Sequence, residues 1–327
     1  MANIFLTRKC NLKCPYCFAS EFVNRENEEI TLENFKIALD FVKTEKDGQI
    51  GLIGGEPTLH SRFGEILELV AADDEVKFVT IFTNGIEIHK YAEIIKNEKF
   101  YLLINCNSPQ DIGESNFEKL KNNIIFLSKI MKDRLKLGIN IYSSQMNYSY
   151  IFDLLRLIDS HFVRFSTAIP NEVKEETKDI LDSFSQMKKT LFSFFQDCYD
   201  NEIIPGNDCN SFPDCIYTKE EKQLLVKLAQ LANKYDIYMD PIRSCRKCEP
   251  VIDILTNLYA VRCFGLSKYL KTHIKNYKSI KELKLYFHNQ IDSVVDNILI
   301  CDDCENCKMR QINKCGVCYT YKIKNIK

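Results

Sequence analysis

The sequence lacks an excess of charge of either sign. Its 327 residues include 44 lysines and arginines against 45 aspartates and glutamates, so the formal net charge is −1. Nucleic acids and anionic membranes select basic surfaces, and this balance argues against both as main partners. The chain also lacks an apolar run long enough to span a bilayer, and its start, MANIFLTRKC, lacks the apolar core of a signal peptide. We therefore expect no nucleic-acid partner, no membrane partner and a cytoplasmic location.

The sequence is rich in cysteine, with 15 residues. Disulfides are rare in a reducing cytosol, and an odd count fits poorly with a framework made only of disulfides. The cysteines are also clustered along the chain, which favours ligation of a metal or an iron–sulfur cluster. Cys106 and Cys198 stand apart, on a predicted strand and a predicted helix, where burial as small apolar side chains explains them.

The first two thirds of the chain alternates predicted strands with predicted helices. Six strand–helix units in succession indicate an α/β fold with a parallel sheet and right-handed crossovers. A partial barrel and a doubly wound sheet both fit this order, and both place the active site at the carboxyl ends of the strands. The predicted strands are residues 2–6, 49–53, 76–83, 101–106, 136–142 and 162–168.

The pattern changes at IIPGNDCNSFPDC, where proline and glycine interrupt the apolar runs and the cysteines return. This change predicts a boundary near residue 204, between a domain of residues 1–203 and a smaller cysteine-rich domain of residues 204–327. Within the second domain, VIDILTNLYAVRC predicts a β-hairpin that turns at Thr256 and Asn257. The tail that follows one more predicted helix carries eight of the 15 cysteines.

Three of the cysteines, Cys10, Cys14 and Cys17, lie in TRKCNLKCPYCFAS, just after the first predicted strand. A loop at this position can wrap three thiolates around one metal centre. A four-iron cluster takes four ligands, so three thiolates leave one iron open for a substrate or cofactor. The alternative is a zinc site that a distant histidine or cysteine completes.

A second motif, GGEP, follows the second predicted strand. Its adjacent glycines, Gly54 and Gly55, let the backbone approach a ligand closely, because they have no Cβ atom. The carboxylate of Glu56 can accept hydrogen bonds from an ammonium group. Alone, the motif indicates only a tight turn, but its place after the three-cysteine loop makes it a candidate ligand site.

The C-x3-C-x2-C spacing, together with the GGE motif, resembles the signature of the radical SAM superfamily. The resemblance implies that Cys10, Cys14 and Cys17 hold a [4Fe-4S] cluster whose open iron binds S-adenosylmethionine. It also implies that the GGE motif holds the amino group of that cofactor. Asn105, Asn107 and Asn140 stand where relatives contact the cofactor, although each also fits a polar group at the end of a strand. Further implied cofactor contacts are Tyr16, near the adenine, and Thr83 in FTNG, which ends the third strand.

The cysteine-rich tail resembles the SPASM domain, an extension of certain radical SAM enzymes that carries auxiliary clusters. The resemblance implies two auxiliary [4Fe-4S] clusters, one held by Cys245, Cys248, Cys263 and Cys318, and one held by Cys301, Cys304, Cys307 and Cys315. The spacing departs from the usual pattern, since the run is C-x2-C-x2-C-x7-C-x2-C and no cysteine follows Cys318. A zinc ribbon formed by Cys304, Cys307, Cys315 and Cys318 is the alternative.

The resemblance also implies the chemistry: reductive cleavage of S-adenosylmethionine gives a 5′-deoxyadenosyl radical, which takes a hydrogen atom from the substrate. It implies a partial (β/α)6 TIM-like barrel and favours a ribosomally made peptide or a protein as the substrate. A small-molecule dehydrogenase and a non-catalytic zinc- or cluster-binding protein are the alternatives. The sequence names no acid or base. Asp240 and Tyr238 are candidates for a catalytic role, and a structural role is their alternative. Cys209 and Cys215 are further candidates, which could also ligate an auxiliary cluster, line the substrate channel or be plain thiols.

Two further partners follow from the resemblance. Reduction of the clusters requires an electron donor such as flavodoxin or ferredoxin. Many peptide maturases carry an N-terminal domain that binds the leader peptide, whereas this sequence begins directly at the first strand. We expect that either a separate protein supplies such a domain or the substrate binds through the barrel and the tail.

Overall fold

The computed structural model describes residues 2–17, 19–20, 22–24, 28–168, 180–210, 212–237, 248–312, 315 and 317–324. The strands in these residues are β1 (Ala2–Phe5), β2 (Gln49–Ile53), β3 (Phe78–Thr83), β4 (Phe100–Asn105), β5 (Leu135–Ile141), β6 (Phe162–Thr167), β7 (Ile204–Asn207), β8 (Asp253–Ile254), β9 (Tyr259–Val261) and β10 (Thr272–His273).

Helices follow most of the parallel strands. None of the described helices is both long enough and apolar enough to cross a membrane. The helices are α1 (Leu32–Lys43), α2 (Phe63–Ala72), α3 (Ala92–Ile95), α4 (Pro109–Ile112), α5 (Glu114–Met131), α6 (Tyr150–Leu157), α7 (Ile180–Asp200), α8 (Lys219–Lys234), α9 (Ile280–Phe287), α10 (Ser293–Val295), α11 (Lys308–Gln311) and α12 (Tyr319–Lys324).

Packing divides the chain into two compact units. The first unit is Met1–Lys136 with Pro250–Ile291, and the second unit is Leu137–Glu249 with Asp292–Lys327. The strands of the first unit follow the order β10-β9-β8-β1-β2-β3-β4, in which β8 and β1 to β4 are parallel. In the second unit, which takes β5 from Leu137 onward, β5, β6 and β7 are parallel neighbours. The boundary near residue 204, which the sequence predicts from a change of pattern, stays a prediction.

All six strands predicted in the first two thirds of the chain are confirmed, with bounds that differ by at most two residues. The sequence analysis missed β7, because Pro205 and Gly206 interrupt its pattern. β7 pairs with β6, and Ile204 lies opposite Phe162. A Cβ atom on Gly206 would lie 2.6 Å from the Phe162 ring, so glycine gives that ring its space. Proline is tolerated at an edge, where its missing N–H breaks no ladder.

The predicted hairpin forms, with Asp253 of β8 opposite Val261 of β9. Leu258 ends its turn with φ of 65°, a left-handed conformation that is strained for a branched side chain. The hairpin extends the sheet of the first unit, because β8 pairs with β1 in parallel register. At that joint the side-chain amide of Asn3 donates to Asp253 over 2.7 Å.

An apolar cluster lies beneath the loop that follows β1. It consists of Phe5, Ala19, Leu255, Val261 and Phe264, with Cys17 packed against it. The Phe5 and Phe264 rings lie 5.1 Å apart between centroids. Residues separated by about 250 positions along the chain thus support the cysteine loop jointly.

We expect Asp253 to make stability depend on pH. Burial raises the pKa of its carboxyl to about 7, while hydrogen bonds from Asn3 and the Phe264 backbone oppose the rise. The folded chain keeps this proton to about pH 7, whereas the unfolded chain loses it near about pH 4. Between these two pH values, ionisation of Asp253 stabilises only the unfolded chain. The free energy of unfolding therefore falls as the pH rises through that window, by up to about 4 kcal/mol.

Denaturant unfolding at several pH values measures this effect. Asp253→Asn should flatten the pH dependence of the free energy of unfolding between about pH 4 and pH 7, because position 253 then carries no carboxyl that can ionise. The exposed Asp74 provides the control, since Asp74→Asn should leave the slope unchanged. An unchanged slope in the Asp253 variant would contradict the assignment.

Candidate functional site

The predicted site residues of the first unit lie where four neighbouring strands end. The cysteine loop, Cys10–Cys17, follows β1, and Gly54 to Glu56 follow β2. Thr83 ends β3 and Asn105 ends β4. Because β1 to β4 are parallel neighbours, their carboxyl ends share one edge of the sheet, which is the ligand-binding edge in α/β folds.

The three thiols of the cysteine loop lie close to one another. Burial raises the pKa of Cys14 to about 12, and the charges of Cys17 and Cys10 add to the rise. Burial also raises the pKa of Cys10, to about 11, with contributions from the charges of Glu56 and Cys17. Three thiolates this close to one another and to a carboxylate would repel, so the thiols favour their protonated form. A bound cationic metal centre reverses that preference, because it stabilises the thiolate form.

Two backbone hydrogen bonds join the GGE motif to the start of the cysteine loop. The N–H of Gly55 donates to the carbonyl of Thr7, and the N–H of Glu56 donates to the carbonyl of Lys9, each over 2.7 Å. The glycines make this approach possible. A Cβ atom on Gly55 would lie 2.4 Å from the Lys9 carbonyl oxygen, and one on Gly54 would lie 2.9 Å from that of Thr7. The motif therefore fixes the backbone immediately before Cys10.

The carboxylate of Glu56 is buried and hydrogen-bonded to the protein itself. It accepts bonds of 2.7 Å from the hydroxyls of Thr58 and Thr83 and from the backbone N–H of Asn84. Burial raises the pKa of Glu56, and these hydrogen bonds oppose the rise. Glu56 thus ties the loops after β2 and β3 together, which is a structural task in addition to any contact with a cofactor.

Two asparagines that the sequence analysis missed hold the cysteine loop in place. Asn24 exchanges two hydrogen bonds with the backbone of Cys10, of 2.9 and 3.0 Å. Asn84 donates to the side chain of Asn11 over 2.7 Å, which links the loops after β1 and β3. The positive φ of Asn24, 58°, suits asparagine, but nothing in the local sequence pattern connects it with Cys10.

Tyr16 lies against the carboxyl end of β4. Its hydroxyl donates to the side-chain oxygen of Asn107 over 2.5 Å, and its side chain also hydrogen-bonds the Cys14 thiol. The side chain of Asn107 donates in turn to the carbonyl of Asn105 over 3.3 Å. The structure therefore brings these three predicted residues, Tyr16, Asn105 and Asn107, into one hydrogen-bonded chain beside the thiols.

Asn140 belongs to the second unit, where its side chain forms hydrogen bonds with polar side chains of the neighbouring strand β6. Its side-chain oxygen accepts from Arg164 over 3.3 Å and from the hydroxyl of Ser166. Arg164 also forms an ion pair of 2.7 Å with Asp208. The sequence analysis did not single out Arg164, Ser166 or Asp208, because their alternation within and after a strand carries no motif.

The predicted tail ligands fall in different parts of the structure. Cys263 lies in the first unit, directly before Phe264 of the apolar cluster. Cys245, Asp240 and Tyr238 lie outside the described residues. Cys106 and Cys198 are buried, as predicted. The other predicted ligands and both candidate catalytic thiols lie in the second unit: Cys209, Cys215, Cys248, Cys301, Cys304, Cys307, Cys315 and Cys318.

The cysteine loop offers the donor set of an open iron–sulfur cluster. Among the side chains that the structure describes, no three from Cys, His, Asp and Glu converge on one point as ligands of a single metal ion would. A four-iron cluster needs no such convergence, because each iron takes a different thiolate. Three half-buried thiols on one fixed loop therefore fit such a cluster with one iron left open.

We expect Gly55→Ala to displace the cysteine loop. The added Cβ would overlap the Lys9 carbonyl and break the hydrogen bonds that hold the backbone before Cys10. Iron bound by the loop should fall several-fold, and the free energy of unfolding should fall by about 1–3 kcal/mol.

Gly64→Ala is the matched control for this variant. Gly64 lies in α2, and its Cβ would meet the Tyr91 ring at 3.6 Å, which is an ordinary contact, so iron binding should stay unchanged. Iron analysis and denaturant unfolding of both variants test the prediction. Iron binding in Gly55→Ala equal to that of the unaltered protein would show that the glycine is not needed.

Comparison with known proteins identifies relatives by sequence. A GTP 3′,8-cyclase of Helicobacter pylori (strain HPAG1) is 28% identical over 210 residues, which is 58% of this chain and 64% of the cyclase. A 7,8-dihydro-6-hydroxymethylpterin dimethyltransferase of Methanocaldococcus jannaschii is 36% identical over 90 residues, 27% of this chain and 18% of that enzyme. The chain thus spans less than two thirds of the length of these relatives.

Comparison of structures identifies a likeness over the whole chain. SuiB of Streptococcus suis, solved with S-adenosylmethionine, matches 100% of this chain and 74% of its own, with a TM-score of 0.65 and 15% identity. SuiB solved with its precursor peptide SuiA matches with a TM-score of 0.63. This likeness concerns the fold, and it confirms the predicted α/β class with a mostly parallel sheet, as in a partial TIM-like barrel.

Residues 4–184 match the family model of the Radical SAM superfamily. The matched segment contains the end of β1, the cysteine loop, the GGE motif and β2 to β6. It covers more than half of the 327 residues. The chain belongs to the radical SAM superfamily.

Proposed function

We propose that the chain modifies a ribosomally made peptide or a protein by abstracting a hydrogen atom from it. The observation that carries the proposal is the cysteine loop, whose three thiols are fixed at the carboxyl edge of the sheet by the GGE motif. When bound there, a [4Fe-4S] cluster and S-adenosylmethionine supply the radical that takes the hydrogen atom.

In this proposal, the residues of the first unit bind the cluster and orient the cofactor. Cys10, Cys14 and Cys17 hold the cluster, and the two backbone bonds from the GGE motif keep the loop in position. Tyr16 and Asn107 present a hydrogen-bonded polar surface beside Cys14, suited to a nucleoside. Because the thiols are half-buried, the loop also limits access of water to the cofactor.

The likeness to SuiB supports a peptide or protein substrate. SuiB has been solved with its precursor peptide, and the fold likeness covers the whole of this chain, including the cysteine-rich tail. The eight tail cysteines favour two auxiliary [4Fe-4S] clusters, which would accept an electron from the substrate or bind it. An electron donor such as flavodoxin or ferredoxin would reduce the clusters.

A small-molecule substrate is the second candidate. The sequence relatives favour it, because they include the GTP 3′,8-cyclase and the pterin dimethyltransferase. An assay with peptides encoded beside the gene, and with GTP, decides between the two. Consumption of a peptide together with formation of 5′-deoxyadenosine supports the proposal, whereas cyclisation of GTP overturns it in favour of the second candidate.

We expect simultaneous change of Cys10, Cys14 and Cys17 to Ala to abolish cleavage of S-adenosylmethionine. Iron should fall from about twelve to about eight per chain, because only the loop's cluster loses its ligands. Anaerobic reconstitution, iron and sulfide analysis and detection of 5′-deoxyadenosine measure both effects. Cys106→Ala, at a buried thiol of the same unit, is the control and should keep cleavage. Cleavage that survives in the triple variant would exclude the loop as the site.

A further inference from the structure

Residues 6–9 continue β1 toward Cys10 and are hydrogen-bonded on both sides. The end of β2 and the GGE motif bond to them on one side. On the other side lie residues 28–30, which meet them in an antiparallel bridge. There the N–H of Arg8 donates to the carbonyl of Glu28 over 2.9 Å. Residues 28–30 are therefore fixed beside the backbone that leads into the cysteine loop.

Glu29 lies in the middle of this segment, and both oxygens of its carboxylate have donors. One oxygen accepts from the Lys9 ammonium over 2.9 Å and from the backbone N–H of Ser61 over 3.0 Å. The other oxygen accepts from the Ser61 hydroxyl over 2.6 Å. Although burial raises the pKa of Glu29, the hydrogen bonds from Ser61 and Lys9 lower it below its ordinary value. Glu29 is therefore an ionised acceptor for two separate parts of the chain.

The two residues that Glu29 binds are also connected through the GGE motif. The carbonyl of Lys9 accepts from the N–H of Glu56 over 2.7 Å, and Ser61 comes from the segment that directly follows this motif. The contacts thus close a ring around the residue before Cys10. The backbone at Lys9 cannot move away from the GGE motif without breaking a charge-assisted hydrogen bond, which is stronger than a neutral one.

His60 fixes the segment that presents Glu29. The Nδ1 atom of His60 accepts from the N–H of Arg62 over 3.0 Å, so the proton of the neutral ring lies on Nε2. That Nε2 atom lies 2.8 Å from the carbonyl oxygen of Ile30, to which it donates. His60 is buried, which shields this bond from water. Glu29 therefore reaches Lys9 from a backbone that is itself held against the residues after the GGE motif.

Glu28, the preceding carboxylate, has a different set of partners. It forms an ion pair of 2.9 Å with Arg8 and accepts a hydrogen bond from the hydroxyl of Thr256 in the hairpin turn. Two adjacent carboxylates thus bind two adjacent cations, and each carboxylate connects its cation with another element. Glu28 connects Arg8 with the hairpin, whereas Glu29 connects Lys9 with the GGE motif.

We propose that Glu29 is a positioning residue for the [4Fe-4S] cluster, acting through Lys9 and Ser61 to hold the backbone before Cys10 against the GGE motif. This inference rests on the cluster and cofactor of the proposed function. A cluster held by the loop and a cofactor beside the GGE motif must keep a fixed separation, because the cofactor binds the open iron. Residues that orient metal ligands change metal affinity or activity by about 10- to 100-fold.

Electron paramagnetic resonance of the reduced, iron-loaded protein tests the proposal. The signal that changes when S-adenosylmethionine is added belongs to the loop's cluster, since the open iron binds that cofactor. In Glu29→Ala this signal should shift or broaden, and a chelator should remove it about tenfold faster. Glu29→Gln should restore most of both properties, because its amide oxygen still accepts from Ser61.

A double-mutant cycle tests whether Glu29 acts through Lys9. Lys9→Met should reproduce the spectral change and the faster loss of the signal, and the double variant should add little, because both changes remove the same contact. Effects that multiply in the double variant would overturn the route through Lys9. Lys9→Met also carries the test if circular dichroism shows that Glu29→Ala does not fold.

Glu68→Ala is the matched control, because this glutamate is exposed on α2. It should change neither the spectrum nor the rate of loss to the chelator. Denaturant unfolding of all variants separates positioning from stability alone. A lower free energy of unfolding in Glu29→Ala with an unchanged spectrum and an unchanged rate would show a merely structural role and overturn the inference.

The unaltered protein separates this inference from the proposed function. If none of its signals responds to S-adenosylmethionine, the proposed function fails and the inference falls with it. If such a signal is present and Glu29→Ala gives the same spectrum and the same rate of loss, only the inference fails.

Discussion

The candidate site depends on the backbone hydrogen bonds between the GGE motif and the residues before Cys10. Those two bonds require that glycine stand at positions 54 and 55, because any side chain there would occupy the space of the Thr7 and Lys9 carbonyls. The three-thiol loop is otherwise an irregular segment, and irregular segments hold a shape only through such contacts. The second strand therefore positions ligands that the first strand carries.

Glu56 extends the same constraint to the third strand. A buried carboxylate is costly unless hydrogen bonds satisfy it, and Thr58, Thr83 and the Asn84 backbone do so here. Asn84 then reaches the cysteine loop through Asn11. The loops after β1, β2 and β3 thus form one hydrogen-bonded layer. This polar network makes the loops rigid at the edge where the strands end.

Much of this arrangement could be predicted from the sequence. The six strands follow from apolar runs between helical patterns, and the cysteine and GGE motifs follow from residue types at fixed spacing. The sequence analysis could not find β7, whose proline and glycine imitate a loop. It could not find Asn24 or Asn84 either, since their roles arise from contacts between segments that no local pattern connects.

The hairpin of residues 253–261 has a consequence for how the protein is made. Its strand β8 pairs with β1, and its Leu255 and Val261 pack with Phe5 beneath the cysteine loop, as does Phe264 just after the hairpin. Asn3 and Asp253, which bond across this joint, are 250 positions apart. During synthesis the loop emerges long before the residues that support it. The cysteine loop therefore gains this packing support only after the residues up to Phe264 have been synthesised.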